Sequence, residues 1–157
     1  MIGPRMVPAS AFLRKVLTMN YTGGSVANST TALADVHASA AFDLTVGTWL
    51  VYIGVTYDSA ATTTGAHFSL SGTATASFVR GTGSYTTLTT NSDNSNFGSF
   101  DGGLAVVSSR VTSGNGCNLQ ATVTVTVAGT LTLRFRSEVG ASAITVTAVV
   151  GQAIRIA

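Results

Sequence analysis

Charge is what this sequence has least of. Only 9% of its 157 residues are Asp, Glu, Lys or Arg, against about 25% in an ordinary soluble domain. Eight cations face six anions, a net +2, and they are scattered along the chain. That excludes the dense basic patch of a nucleic-acid-binding protein. Cysteine is nearly absent. Cys117 stands alone, so no intramolecular disulfide can form and no redox compartment can be read from it. Its surroundings, Ser113-Gly114-Asn115-Gly116-Cys117-Asn118, suggest an inert thiol at a turn. Proline occurs only as Pro4 and Pro8, where they interrupt any apolar core of a signal peptide. No apolar run is long enough to span a bilayer as a helix. The expectation is a chain made in a cytoplasm, with neither membrane nor nucleic acid as partner.

Catalytic patterns are missing as well. The sequence has no Gly-x-x-x-x-Gly-Lys phosphate loop and no Gly-x-Ser-x-Gly elbow. Asp35, Asp43, Asp58, Asp93, Asp101 and Glu138 form no local pair of the kind acid-base chemistry uses. His37 and His67 have no second ligand at metal spacing. The run Asn91, Asp93, Ser95, Asp101 is rich in oxygen and invites a calcium reading. Counted from Asn91, however, Asn96 falls where a calcium loop turns on Gly and Gly102 where it ends on Glu. An Asx-rich surface loop accounts for it. No catalytic residue, cofactor or metal is assigned, and the chain is expected not to be an enzyme.

What the sequence does have is alternation. Gly47 to Tyr57 and Gln120 to Arg136 place an apolar residue at alternate positions through most of their length, with mainly small or polar residues between, the period of a strand with one face buried. Further strands are expected at 11–21, 30–36, 41–46, 67–70, 75–80, 84–90, 104–112, 144–150 and 154–156. The segment 91–103 is expected to be a polar loop, and 104–112 to form a hairpin with 120–127 through Gly114-Asn115-Gly116. Helical periodicity is absent. The fold class is all-β, an antiparallel jelly-roll β-sandwich. Residues 1–10 read as a short extended N-terminal arm, and 11–157 as a single jelly-roll domain.

A mean hydropathy of +0.41 with so little charge leaves a monomer few means of keeping strand edges apart, which points to self-association. Trp49, Phe42, Phe68, Phe78 and Phe135 read as core. Phe97 and Phe100 fall in the polar loop, where they either anchor a neighbouring subunit or tuck back onto their own domain. Arg134 and Arg136 share the outward face of their strand. They read as a solvated face or, more sharply, as subunit-interface cations for Glu138 or Asp58 of a neighbour. In the arm, Ile2, Met6 and Val7 offer apolar contact and Arg5 a cation for an acidic patch.

The stretches Phe12-Leu-Arg-Lys-Val-Leu17, Ser29-Thr-Thr-Ala-Leu-Ala-Asp35 and Phe42-Asp-Leu-Thr-Val-Gly-Thr-Trp-Leu-Val-Tyr-Ile-Gly-Val-Thr-Tyr57 resemble the opening of a group of small tailed-bacteriophage virion proteins. Gly129-Thr-Leu-Thr-Leu-Arg-Phe-Arg136 and Val149-Val-Gly-Gln-Ala-Ile-Arg-Ile156 are similar to its last strands. Trp49 stands where that group more often has Tyr, and Gly151-Gln152 replaces a more usual Gly-Ser. The resemblance implies a trimeric jelly roll of the tumour-necrosis-factor and C1q type, serving as a capsid decoration protein or as a head- or tail-fibre domain. A cement protein needs a compact trimer and an arm to grip the shell, and this chain offers both. The expectation is a homotrimer on the outer surface of the virion, bound to the major capsid protein through Ile2, Arg5, Met6 and Val7. The alternative is the receptor-binding tip or a structural domain of a fibre, with a host-surface glycan as partner. It lacks support from heptads or collagen-like triplets, which a shaft would need.

Overall fold

A computed structural model describes residues 15–86, 92–104, 107–109 and 111–157. The arm, with Ile2, Arg5, Met6 and Val7, lies outside the described residues. The elements are β1 (Val16–Tyr21), β2 (Val26–Asn28), β3 (Ala34–Asp35), β4 (Ala41–Leu44), β5 (Gly47–Ser59), β6 (Gly65–Ser71), β7 (Thr75–Thr86), β8 (Ser92–Phe97), β9 (Val107–Ser108), β10 (Asn115–Val127), β11 (Gly129–Ser137) and β12 (Ile144–Arg155). Among the described residues there is no helix. A seven-stranded sheet runs β1-β12-β5-β10-β7-β8 with β2 also on β12, and a five-stranded sheet runs β3-β11-β6-β9 with β4 also on β11. Every pair is antiparallel. From β4 onward the chain passes from sheet to sheet at nearly every connection, which makes the sandwich a jelly roll.

The alternation seen in the sequence builds the core. Trp49, Val51, Ile53, Val55 and Tyr57 point inward from β5, and Cys117, Leu119, Ala121, Val123 and Val125 from β10. They meet Phe68 and Leu70 of β6 and Leu131, Leu133 and Phe135 of β11. Each large side chain so buried contributes roughly 1.5–3 kcal/mol. Tyr57 packs edge-on to Phe68 at 5.3 Å between ring centres. Polar groups cross between the sheets and find partners there. The Phe68 N–H donates to Tyr85 Oη at 3.3 Å, and Asn28 Nδ2 donates to the Phe135 carbonyl at 3.0 Å.

Several expected boundaries are corrected by packing. The segment 75–80 and the described start of 84–90, residues 84–86, are joined in one strand, β7, because Gly81 and Gly83 mark close approaches rather than a turn; 87–90 lie outside the described residues. A Cβ on Gly81 would run into the Phe97 ring, and one on Gly83 would lie 2.5 Å from the Asn118 carbonyl oxygen. Similarly, 144–150 and 154–156 belong to one strand. A register shift between Val146 and Ala148 switches the inward set from Ile144 and Val146 to Val149 and Ala153. Gly151 is there because its position faces Phe42 and the Tyr52 carbonyl. The polar loop at 91–103 is in part strand β8, paired to β7. The hairpin between 104–112 and 120–127 does not form. Val107–Ser108 pairs with β6 in the other sheet, while β10 lies between β5 and β7. Cys117 is buried in β10 rather than sitting at a turn, since the turn is completed at Gly114 (φ 74°). Phe78, expected in the core, is 46% exposed on the outer side of β7.

Candidate subunit-contact surfaces

The inward alternation of five long strands has a counterpart on the outer face of the seven-stranded sheet. Cross-strand register aligns Thr18, Gln152, Tyr52, Gln120, Thr82 and Asn96 in one row. The adjacent row holds Asn20, Val150, Gly54, Asn118, Ser84 and Asn94. Neither row contains a charge. Lys15, Asp58 and Arg155 lie nearer the ends of these strands, and Arg80, midway along β7, stands in the next row beside Thr122. Gly54 has no side chain in the middle of this face, and a recess of about 630 Å³ opens there between Tyr52, Val150, Asn118, Gln120 and Gln152. A second recess of about 460 Å³ continues past Gln120 towards Thr82 and Asn96.

Apolar side chains flank the amides. Val16, Phe78, Val150 and Ile156, between 41% and 54% exposed, are four of the seven large hydrophobic residues exposed among the described residues. Leu50, Tyr52 and Ile154 are half-buried beside them. The face therefore combines neutral donors and acceptors with apolar patches and leaves no central charge to desolvate, which suits contact with another protein surface.

The opposite face, on the five-stranded sheet, is occupied by intramolecular bonds. Arg134 Nη1 donates to Asp101 Oδ1 at 2.8 Å and Nη2 to the Leu33 carbonyl at 3.0 Å. Its Nε lies 3.0 Å from Asp35 Oδ1, an ion pair without hydrogen-bond alignment. Ser71 Oγ donates to the other Asp101 oxygen at 3.1 Å. The Asp101 N–H donates to the Leu70 carbonyl and the Leu104 N–H to the Phe68 carbonyl, so this segment runs along the edge of β6. Positive φ at Asp101 (57°) and Gly103 (56°) turns the chain there.

The sequence-derived candidates separate accordingly. Phe97 is buried, 6% exposed, over Gly81 of its own domain, and so does not reach a neighbour. Phe100 is half-buried against the same core. Arg134 is already ion-paired within its own subunit, to Asp35 and Asp101, rather than to Glu138 or Asp58. Asp58 itself accepts the Gly114 N–H at 2.8 Å. Arg136 stands opposite His67 in the register and shares no site with Phe97. Asp101, counted as an oxygen ligand in the calcium reading, is held by Arg134 and Ser71 instead. Among the described residues, no three of His, Cys, Asp and Glu come together as a metal site.

Burial governs the titratable side chains. It pushes the Tyr57 hydroxyl up to about 12, and it raises the Tyr85 hydroxyl and the Cys117 thiol further still. The Cys117 thiol is thus protonated and shielded, without nucleophilic character. Burial, aided by the Arg136 charge, lowers His67 from its ordinary value, against smaller opposing effects of Asp101 and of a hydrogen bond to the Leu104 backbone.

Tyr52, Gly54, Val150 and Gln152 carry the open face, and sequence reasoning passed over them. A signal was present: the outward halves of β5 and β10 hold chiefly Thr, Asn, Gln and Tyr where an ordinary solvated face carries Lys and Glu.

No family model matches this sequence, and neither does any curated protein. Among solved structures, the chain is similar to Eiger TNF from S. frugiperda, at 14% identity and a TM-score of 0.43, over 92% of this chain and 93% of that one.

Proposed function

We propose that this chain is a non-enzymatic structural protein of a tailed-phage virion, a capsid decoration protein that trimerises through the outer face of its seven-stranded sheet and cements the shell. The observation that carries the reading is the uncharged double row centred on Tyr52 and Gly54. A solvated sheet face gains nothing from excluding charge, whereas an interface between copies avoids desolvating it. Obligate interfaces of this kind bury roughly 2,000 Å² or more. The likeness of the chain's opening and closing stretches to small phage virion proteins supports the choice of a virion. The dispersal of carboxylates supports a role without catalysis, since Asp35 and Asp101 are engaged by Arg134 and Asp58 by the Gly114 N–H.

The arm supplies the grip. Pro4 and Pro8 restrict its backbone towards extended forms, which lowers the ordering cost when Ile2, Arg5, Met6 and Val7 lie along the major capsid protein. The test has two parts. Sedimentation at micromolar concentration is expected to give a trimer, and a monomer rejects the assembly. Imaging of particles with and without the protein is expected to show it on the outer capsid, bound much more weakly once residues 1–10 are removed. Density at the tail instead, with binding to host cells, replaces the decoration reading with the fibre tip.

A further inference from the structure

The seven-stranded sheet has an edge that is covered over only half its length. β8 pairs with Gly81–Thr86 of β7, and its last pair is Phe97 with Gly81. The other half of β7, Thr75 to Arg80, has β10 on one side and no strand on the other among the described residues. That is about 20 Å of strand edge with no strand partner among the described residues. The segment reads Thr-Ala-Ser-Phe-Val-Arg; it has neither Pro nor Lys, and its guards are the charge of Arg80 and two register shifts against β10. Phe78 stands exposed there with the Arg80 guanidinium 5.9 Å over its ring. β8, by contrast, is polar up to its last residue, Ser-Asp-Asn-Ser-Asn before Phe97.

At the far edge of the same sheet, β1 enters level with this gap. Val16, Ile154, Leu50, Thr122 and Arg80 form one cross-strand row. Among the described residues, the last bond tying the chain to β12 at that end runs from the Arg155 N–H to the Lys15 carbonyl. Fourteen residues precede Lys15, and Ala9-Ser-Ala-Phe-Leu-Arg14 is their longest stretch in which every residue keeps its N–H, since Pro4 and Pro8 lack one. It shares the ending Phe-apolar-Arg with the open half of β7.

We infer that Ala9 to Arg14 of one copy adds as a strand to the open Thr75 to Arg80 edge of a neighbouring copy. The same copy cannot supply it. β12, β5 and β10 separate β1 from β7, which makes about 19 Å at the usual strand spacing, while Arg14 sits one residue, about 3.8 Å, from Lys15. A neighbour packed on the sheet brings its own segment to the edge without that crossing. Pairing would bury Phe78 beside Phe12 or Leu13 and direct Met1 to Pro8 outward, free to meet another partner. The inference rests on the self-association proposed above.

Cysteine pairs test it in the full chain, with the buried Cys117 thiol unable to compete. Leu13→Cys with Ser77→Cys, and Phe12→Cys with Phe78→Cys, sample both side-chain parities, because directly opposed strand residues lie within disulfide reach. Under mild oxidation at least one pair is expected to give covalent oligomers on non-reducing electrophoresis. In parallel, amide exchange at Thr75 to Arg80 is expected to be roughly tenfold or more slower in the unmodified chain than in an Ala11→Pro, Leu13→Pro variant, which loses two donors and keeps its length. Bridges confined to single chains, no bridge with either pair, or exchange unchanged by the prolines overturns the inference. Sedimentation of the unmodified chain separates the two levels. A monomer fails the self-association reading itself, whereas an intact oligomer with any of those results fails only the strand exchange.

Discussion

The ring of Phe97 fills the space that a side chain at Gly81 would need. β8 ends on that ring, and through it the edge of the seven-stranded sheet closes over the core. Gly81→Ala is therefore expected to cost about 1–3 kcal/mol, as Phe97 is forced from its buried seat. Gly83→Ala is expected to cost more, because its Cβ meets the Asn118 backbone oxygen at 2.5 Å, and a strand backbone gives way less readily than a ring. Gly23, with nothing within 4 Å of its would-be Cβ, is the control. Denaturant unfolding should rank the losses Gly83→Ala, Gly81→Ala, Gly23→Ala. Equal midpoints for the three would refute the packing argument.

A charge placed on the open sheet face should separate subunits without unfolding them. Gln120 is exposed in the single chain and lies at the centre of the uncharged rows. Gln120→Glu leaves the inward set untouched but puts an unpaired carboxylate into any interface on this face, a cost of several kcal/mol. The expected outcome is association weakened by about a hundredfold or more in sedimentation, with an unchanged circular dichroism spectrum. Undiminished association would move the interface elsewhere.

The long alternating runs made much of the fold legible. The inward residues of β5, Trp49 to Tyr57, and of β10 and β11, Leu119 to Phe135, were all readable because the period of two holds without a break within each strand. Glycine was read less well. Gly81, Gly83 and Gly151 look like punctuation in the sequence, yet each allows a close approach by an element distant in the chain, Phe97, Leu104 or Phe42. Local pattern cannot distinguish a turn from a close contact made by a strand in another part of the fold. The same limit applies to Arg134, whose partners Asp35 and Asp101 come from segments 99 and 33 residues away in the numbering. The candidate contact face stayed hidden for a different reason. It consists of rows across strands, and a row exists only once register is known.

Cys117 should be silent towards thiol reagents in the folded chain. It is 1% exposed in the middle of β10, and burial holds its thiol protonated well above neutral pH. Modification by a disulfide reagent at pH 8 is expected to follow the rate of unfolding and to accelerate in denaturant. Prompt, stoichiometric reaction without denaturant would contradict the placement of β10.

Acid should weaken the fold through His67. The imidazole lies under the Gly103 turn, where a Cβ on Gly103 would come 2.5 Å from its Nε2, and it stands opposite Arg136 in the register. Burial first, and the Arg136 charge second, hold its folded pKa below the unfolded value of 6.5. The unfolded chain then binds more protons than the folded chain in the window below 6.5, so stability rises with pH across that window. The contribution is fully present above pH 6.5 and is lost progressively as pH falls from there towards the folded pKa. Chemical denaturation between pH 8 and pH 5 should show this decline, and His67→Gln, which keeps a donor for the Leu104 backbone, should flatten it. An equally steep decline in the variant would assign the acid sensitivity to other groups.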